Sequence, residues 1–251
     1  MKKCTKILSV IFVLTLCVMS LAGCGKKSEK YKIATDTTFA PFEFEDENGE
    51  YVGIDLDLLA AIAEDQGFEY ELQPLGFDAA CAALESGQAD GVIAGMSIKE
   101  ERKEKYDFSD PYYDSGVVMA VKADSGINSY EDLNGKVVAV KMGTEGAAYA
   151  ETLAGTYNFE LKYFDDSPLM YQEVLTGNAA ACCEDYPVMG YNIANGNGLK
   201  MVGDMEVGSS YGFAVKKGED AELLEMFNKG LENIRANGTY QEILDKYISA
   251  E

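Results

Sequence analysis

Polar, charged and aromatic residues follow the apolar, β-rich runs of this chain. Asp36 and Phe39 come after residues 31–35, and Gly95, Ser97 and Arg102 after 89–94. Lys141, Thr144 and Glu145 come after 136–140, Glu184 and Asp185 after 179–183, and Phe77 after a fifth run. In open α/β sheets ligands bind beyond the carboxyl ends of the strands, so these residues are candidates for one site. Their types complement a free α-amino acid. A carboxylate is held by a two-pronged Arg and by backbone N–H groups at a helix start, which Arg102, Ser97 and Thr144 supply. An ammonium needs a carboxylate, and Asp185 is available. Phe39 and Phe77 can flank a ligand side chain. The competing chemistry is acid–base catalysis by Glu184 or Glu145 with Lys141.

Composition narrows the choice. The chain has 251 residues, 47% hydrophobic and 25% charged, within the range of one large or two small domains. Forty-three acids against 21 Lys and Arg leave a net charge of -22, and no His is present. Without His there is no Ser-His-Asp triad and no imidazole-ligated metal site. The acidity and the absence of a basic run after residue 30 argue against nucleic acid, whose phosphates need clustered Lys and Arg. No cofactor or metal is predicted.

The elements that must position these groups alternate. Strand signals fall at 31–35, 68–72, 89–94, 117–121, 136–140, 159–164 and 179–183. Helix signals fall at 55–63, with Gly67 as a stop, and at 78–85, 145–153 and 168–175. Leu56, Leu59, Ala60 and Ala63 are expected to form the buried face of the first helix. Two helices split by Asn237-Gly238 close the chain over 220–248. This order predicts an α/β fold with parallel strands. Residues 84–90 (LESGQAD) and 175–181 (LTGNAAA) echo each other as helix end, glycine turn and buried strand, which suits two similar lobes.

Residues 1–23 read as a secretory signal: three Lys, then an apolar run from Ile7 to Leu21 that is shorter than a bilayer span. Residues 21–24 (LAGC) resemble the bacterial lipobox, which implies cleavage before Cys24 and lipidation of its sulfur. Residues 24–30 then form a polar tether. Removing 23 residues with three Lys and no acid leaves 228 residues and 18 minus 43, or -25. Cys81, Cys182 and Cys183 remain; three is odd, so no disulfide framework is expected. Cys81 is expected to be a buried small apolar residue, and Cys182 and Cys183, adjacent in a strand, to face opposite sides.

Longer motifs carry a resemblance. Residues 34–44 (ATDTTFAPFEF), 51–58 (YVGIDLDL), 96–102 (MSIKEER), 107–113 (DFSDPYY) and 238–243 (GTYQEI) occur in an order similar to that of the amino-acid-binding proteins of ABC importers, solute-binding family three. The resemblance spans about 31–247. It implies a two-lobe periplasmic-binding-protein-like fold (type II) with two crossover hinge strands. Lobe 1 would be 31–112 and 211–251, lobe 2 would be 117–206, and the hinges would lie near 112–116 and 207–211. It implies a lipid-anchored, extracytoplasmic, monomeric binding component that is not an enzyme, closes over one amino acid and delivers it to permease subunits. Arg102 falls at the carboxylate-binding position, with Gly95, Ser97 and Thr144 as companions. Asp185 falls at the ammonium acceptor, and Phe39 and Phe77 at the aromatic walls. Asp36 with Lys141 resembles the glutamine-binding members, whereas Glu145 and Glu184 are additional acids that push toward arginine or lysine. Glutamine therefore ranks first, with arginine or lysine next. Two alternatives stay open: a dehydratase-type enzyme on the same scaffold, and a ligand-binding or signalling lipoprotein without transport.

Overall fold

A computed structural model describes residues 30–248; the signal and Cys24 readings lie outside the described residues. The chain enters through β1 (Tyr31–Thr35), whose inward residues Ile33 and Ala34 are fully buried. A small antiparallel sheet follows, made of β2 (Thr38–Phe39), β3 (Glu43–Glu45) and β4 (Tyr51–Val52). Helix α1 (Ile54–Gln66) ends on Gly67 in the left-handed conformation. Next come β5 (Tyr70–Pro74), α2 (Phe77–Glu85), β6 (Gly91–Val92), the one-turn α3 (Glu100–Lys103) and β7 (Tyr106–Phe108). The ten-residue β8 (Tyr113–Lys122) carries the chain to a second sheet. There β9 (Val137–Lys141), α4 (Glu145–Tyr157), β10 (Glu160–Phe164), α5 (Ser167–Thr176), β11 (Ala181–Asp185) and α6 (Tyr186–Ala194) alternate. The chain returns along the 13-residue β12 (Leu199–Tyr211) to β13 (Ala214–Lys216), then ends in α7 (Ala221–Asn237) and α8 (Thr239–Tyr247).

Two five-stranded sheets result, ordered β5-β1-β6-β13-β7 and β10-β9-β11-β8-β12. In the first, β5, β1 and β6 are parallel and β13 runs against its neighbours. In the second, β10, β9 and β11 are parallel, while β8 opposes both β11 and β12. The expected parallel pairing holds for three strands of each sheet, while β13 and β8 run against their neighbours, so each sheet is mixed. The cause is the exchange of chain between the sheets, since β8 and β12 run antiparallel from Tyr113↔Tyr211 to Lys122↔Leu199.

Both sheets are covered on both faces, as parallel strands require. In the first, Ile54, Leu58, Leu59 and Ile62 of α1 pack with Phe227, Leu231 and Ile234 of α7, while Ala80, Ala83 and Leu84 of α2 lie in a second cluster with Val92 and Ala214. Ala60, expected inside, is exposed. The buried stripe follows Leu58 and Ile62 because α7 lies on that side. In the second sheet Cys183 and Cys182 sit in opposite clusters, the first with Ala147 and Ala150 of α4, the second with Met170 and Val174 of α5. Cys81 is only partly buried, and its burial pushes the thiol up to about 11. Among the described residues, no helix is long and apolar enough to cross a membrane.

Candidate functional site

The carboxyl ends of both sheets border one small cleft. Its walls are Asp36, Phe39, Phe77, Ala94, Gly95, Ser97 and Arg102 from the first sheet's side, and Thr144, Glu145 and Asp185 from the second's. Nine of the ten residues expected from the sequence lie here. The tenth, Lys141, is 1% exposed and sits behind the wall.

Arg102 sits on the short α3. Its guanidinium lies over the Phe77 ring, 5.3 Å from the centroid. Nη1 donates to the Ser97 carbonyl oxygen (2.9 Å) and Nη2 reaches across the cleft to the Gly143 carbonyl oxygen (3.0 Å). Two of its five N–H groups are thus engaged, leaving three to grip an anion. Opposite, Thr144 caps α4: its Oγ1 donates to the Lys141 carbonyl oxygen (2.8 Å) and accepts from Ala147 N (3.3 Å). The thirteen-residue α4 therefore presents its N-terminus to the cleft, and with it a partial positive charge.

Asp185 ends β11 and is 4% exposed. Its Oδ2 accepts from the Tyr211 hydroxyl at 2.6 Å, and the Ser115 hydroxyl donates to the same Tyr211 oxygen at 3.0 Å. Tyr211 and Ser115 belong to the two strands that connect the sheets. Burial pushes the Asp185 carboxyl up to about 8, reinforced by the neighbouring Glu184 and opposed by the Tyr211 hydrogen bond. Glu184 points the other way. It accepts from the Ser167 and Tyr171 hydroxyls, both at 2.8 Å, on the far face of the sheet. Strand alternation explains the split.

The other end of the cleft is defined by a buried ion pair. Lys141 donates to Asp36 Oδ2 and to Thr38 Oγ1 (3.3 Å), and its ammonium lies 5.6 Å from the centre of the Phe39 ring. Asp36 is 1% exposed, so both charges are nearly dry and hold each other. At the rim Lys99 pairs with Glu145 at 2.8 Å. Glu145 thus faces the cleft with a partner in place. Gly95 lies at φ +51°, and a Cβ there would stand 2.3 Å from the Phe39 ring, so only glycine fits.

Ala94 and Tyr211 escaped sequence reasoning. Ala94 carries no functional group to flag it. Tyr211 lies in a polar stretch that does not read as a strand.

The bacterial extracellular solute-binding proteins, family 3, have a family model that matches residues 31–250. This chain belongs to that family. Solute-binding proteins of the family similar to it include the arginine-binding extracellular protein ArtP of Bacillus subtilis, 32% identical over 243 residues, covering 96% of this chain and 95% of the relative. An ancestral arginine-binding protein, solved with glutamine and with arginine, shares 42% identity, covers 88% of this chain and 98% of its own, and superposes with TM-scores of 0.80 and 0.81. The second substrate-binding domain of Lactococcus lactis GlnP, in an open conformation, is 43% identical, covers 90% of this chain and 97% of its own, yet superposes at only 0.62. The arrangement here brings the lobes into contact through Arg102–Gly143, Asp36–Lys141 and Lys99–Glu145. The two-lobe fold of the family is the one observed.

Proposed function

We propose that this chain is the lipid-anchored, extracytoplasmic binding component of an amino-acid ABC importer. It captures one polar amino acid by lobe closure and delivers it to permease subunits. The hinge segments are 112–116 and 207–211. Arg102, with Ser97 and the N-terminal amides of α4 after Thr144, takes the α-carboxylate. Asp185 takes the α-ammonium, and Phe39 and Phe77 enclose the side chain.

The observation that carries the reading is the pairing of a cation and an acid on opposite walls of one small cleft, Arg102 and Asp185. It supports a zwitterion as ligand. Glutamine is the first choice because Asp36, an acceptor for a side-chain amide, lines the far end of the cleft, with Lys141 behind it balancing its charge. Arginine or lysine is the second, on the observation that Glu145 lines the wall and could leave Lys99 for a cationic head. Lys141 stands against it, as a like charge.

Glutamine has about ten heavy atoms. Micromolar binding needs about -8 kcal/mol, or roughly -0.8 kcal/mol per atom, which is within the ceiling of about -1.5 kcal/mol for tiny ligands and requires nearly full enclosure. Closing lobes supply that enclosure. A thermal-shift screen over the twenty amino acids tests the reading. A ligand at 100 times its Kd adds about 2.7 kcal/mol, which is roughly 5–10 °C for a chain of this size. A shift with glutamine above all others supports the first choice, a larger shift with arginine or lysine the second, and no shift with any amino acid overturns both.

A further inference from the structure

Behind Gly95 lies a group of acids that the proposed binding reaction does not use directly. Glu43 and Asp55 are both completely buried. The backbone forces them together. Gly53 sits so close to β3 that a Cβ there would stand 2.8 Å from the Glu43 nitrogen, and Asp55 N donates to the Phe42 carbonyl oxygen (2.9 Å). Asp55 Oδ2 accepts from the Gly95 amide at 2.8 Å and from the Tyr112 hydroxyl at 2.7 Å. Asp55 Oδ1 and both Glu43 oxygens are buried with no hydrogen-bond donor facing them, and the two carboxyls neighbour each other.

We propose that Glu43 is a neutral acid that donates its proton to Asp55, and that this pair is the positioning device for the Gly95 peptide in the cleft wall. The inference deepens the binding-site reading: Glu43 acts through Asp55, and Asp55 through the Gly95 amide. Two carboxylates in one dry site cannot both ionise, and one shared proton removes the conflict. The groups facing Glu43 agree. Asp55 and Asp36 are acids that raise it, Lys141 is a cation already committed to Asp36, and Tyr112 is itself a donor to Asp55. Burial and these acids hold the Glu43 carboxyl well above its usual range, whereas Asp55 is pushed only to about 6, by burial, with the Tyr112, Gly95 and Glu43 hydrogen bonds opposing the rise. The ionised partner is Asp55, because its Oδ2 accepts from both the Gly95 N–H and the Tyr112 hydroxyl, whereas no donor faces Glu43. Gly95 itself sits at φ +51° against the Phe39 ring, so its peptide is held from both sides.

The test uses the mature chain and two substitutions. Glu43→Gln replaces the acid by an amide that still donates, and Glu43→Ala removes the donor. Infrared difference spectra at neutral pH, wild type minus Glu43→Gln, should show the carbonyl band of one protonated carboxyl. Amide exchange at Gly95 should stay within about twofold of wild type in Glu43→Gln and rise about tenfold or more in Glu43→Ala, the loss expected for a bond to a charged acceptor. Glutamine affinity should follow the same order. The absence of the carboxyl band, or Gly95 exchange in Glu43→Gln as fast as in Glu43→Ala, overturns the proposal. If Glu43→Ala does not fold, the band and the Gly95 exchange of Glu43→Gln against wild type decide alone. Neither readout needs a ligand, so failure to bind any amino acid would overturn the binding reading and leave this one standing.

Discussion

Proton release on binding follows from the Asp185 geometry. Burial beside Tyr211 pushes the carboxyl up to about 8, so at pH 7 it is mostly protonated. A ligand ammonium needs the ionised form. With a pKa of about 8, roughly one molecule in eleven is ionised at pH 7, and reaching that form costs about 1.4 kcal/mol, or about tenfold in Kd. Each further unit of acidity costs another factor of about ten, while above pH 8 the affinity levels off. The same count gives about 0.9 proton released per ligand at pH 7 and about 0.5 at pH 8. Calorimetric titration in buffers of different ionisation enthalpy measures this directly, since the slope of heat against buffer enthalpy is the number of protons exchanged. Asp185→Asn keeps an acceptor for the Tyr211 hydroxyl and has nothing to release. It should show no slope and bind roughly a hundredfold or more weakly, the cost of leaving a buried charge unpaired. A flat affinity between pH 6 and 8 with no proton released would refute the reasoning.

Arg102→Ala should weaken amino-acid binding by roughly a hundredfold or more without altering the far-ultraviolet circular dichroism, because the guanidinium bonds only to carbonyls at the cleft edge; unchanged affinity by calorimetry contradicts the site. Lys141→Met strands Asp36 in a dry wall and should lower stability by about 3–5 kcal/mol, read by denaturant titration, and should shift ligand preference toward arginine; a preference that stays with glutamine removes Lys141 from the specificity argument. Gly95→Ala must adopt the left-handed region and meet the Phe39 ring, so it should destabilise the fold by about 1–3 kcal/mol or more and weaken glutamine binding; a variant as stable as wild type shows that the Gly95 conformation is not required. Glu43 is protonated in the folded chain and ionised when unfolded above about pH 4.5, so stability falls as pH rises through that window, by about 1.4 kcal/mol per unit from this group. Glu43→Gln should remove that much of the slope of unfolding free energy against pH, and an unchanged slope counts against a neutral Glu43.

Much of the site could be read because strand ends in an α/β fold gather in space. Asp36, Arg102, Thr144 and Asp185 are far apart in sequence, yet each follows a buried strand, and topology brings them to one cleft. The strands and helices with steady periodicity were legible, from β1 and α1 to the C-terminal pair. What was not legible depended on partners. Strand β12 contains Gly203, Asp204, Gly208 and two serines, poor strand formers, and holds together because it pairs with β8 through two register shifts. Tyr211 and Ser115 therefore stayed invisible as supports for Asp185. Helix α6 opens with Tyr186-Pro187, a proline in the first turn that was a usable start signal. The direction of Glu184 could not be separated from that of Asp185 until the strand's two faces were known. The mixed sheets were missed because alternation of elements does not show where the chain changes sheet.

The proposed cleft recognises both α-groups of a free amino acid. Calorimetric titration of the mature chain with glutamine, N-acetylglutamine and glutamine α-amide tests this most directly. Glutamine should bind, while the acetylated compound, which offers Asp185 no ammonium, and the α-amide, which offers Arg102 no carboxylate, should each bind roughly a hundredfold or more weakly. Equal binding of either derivative would contradict the assignment of the cleft.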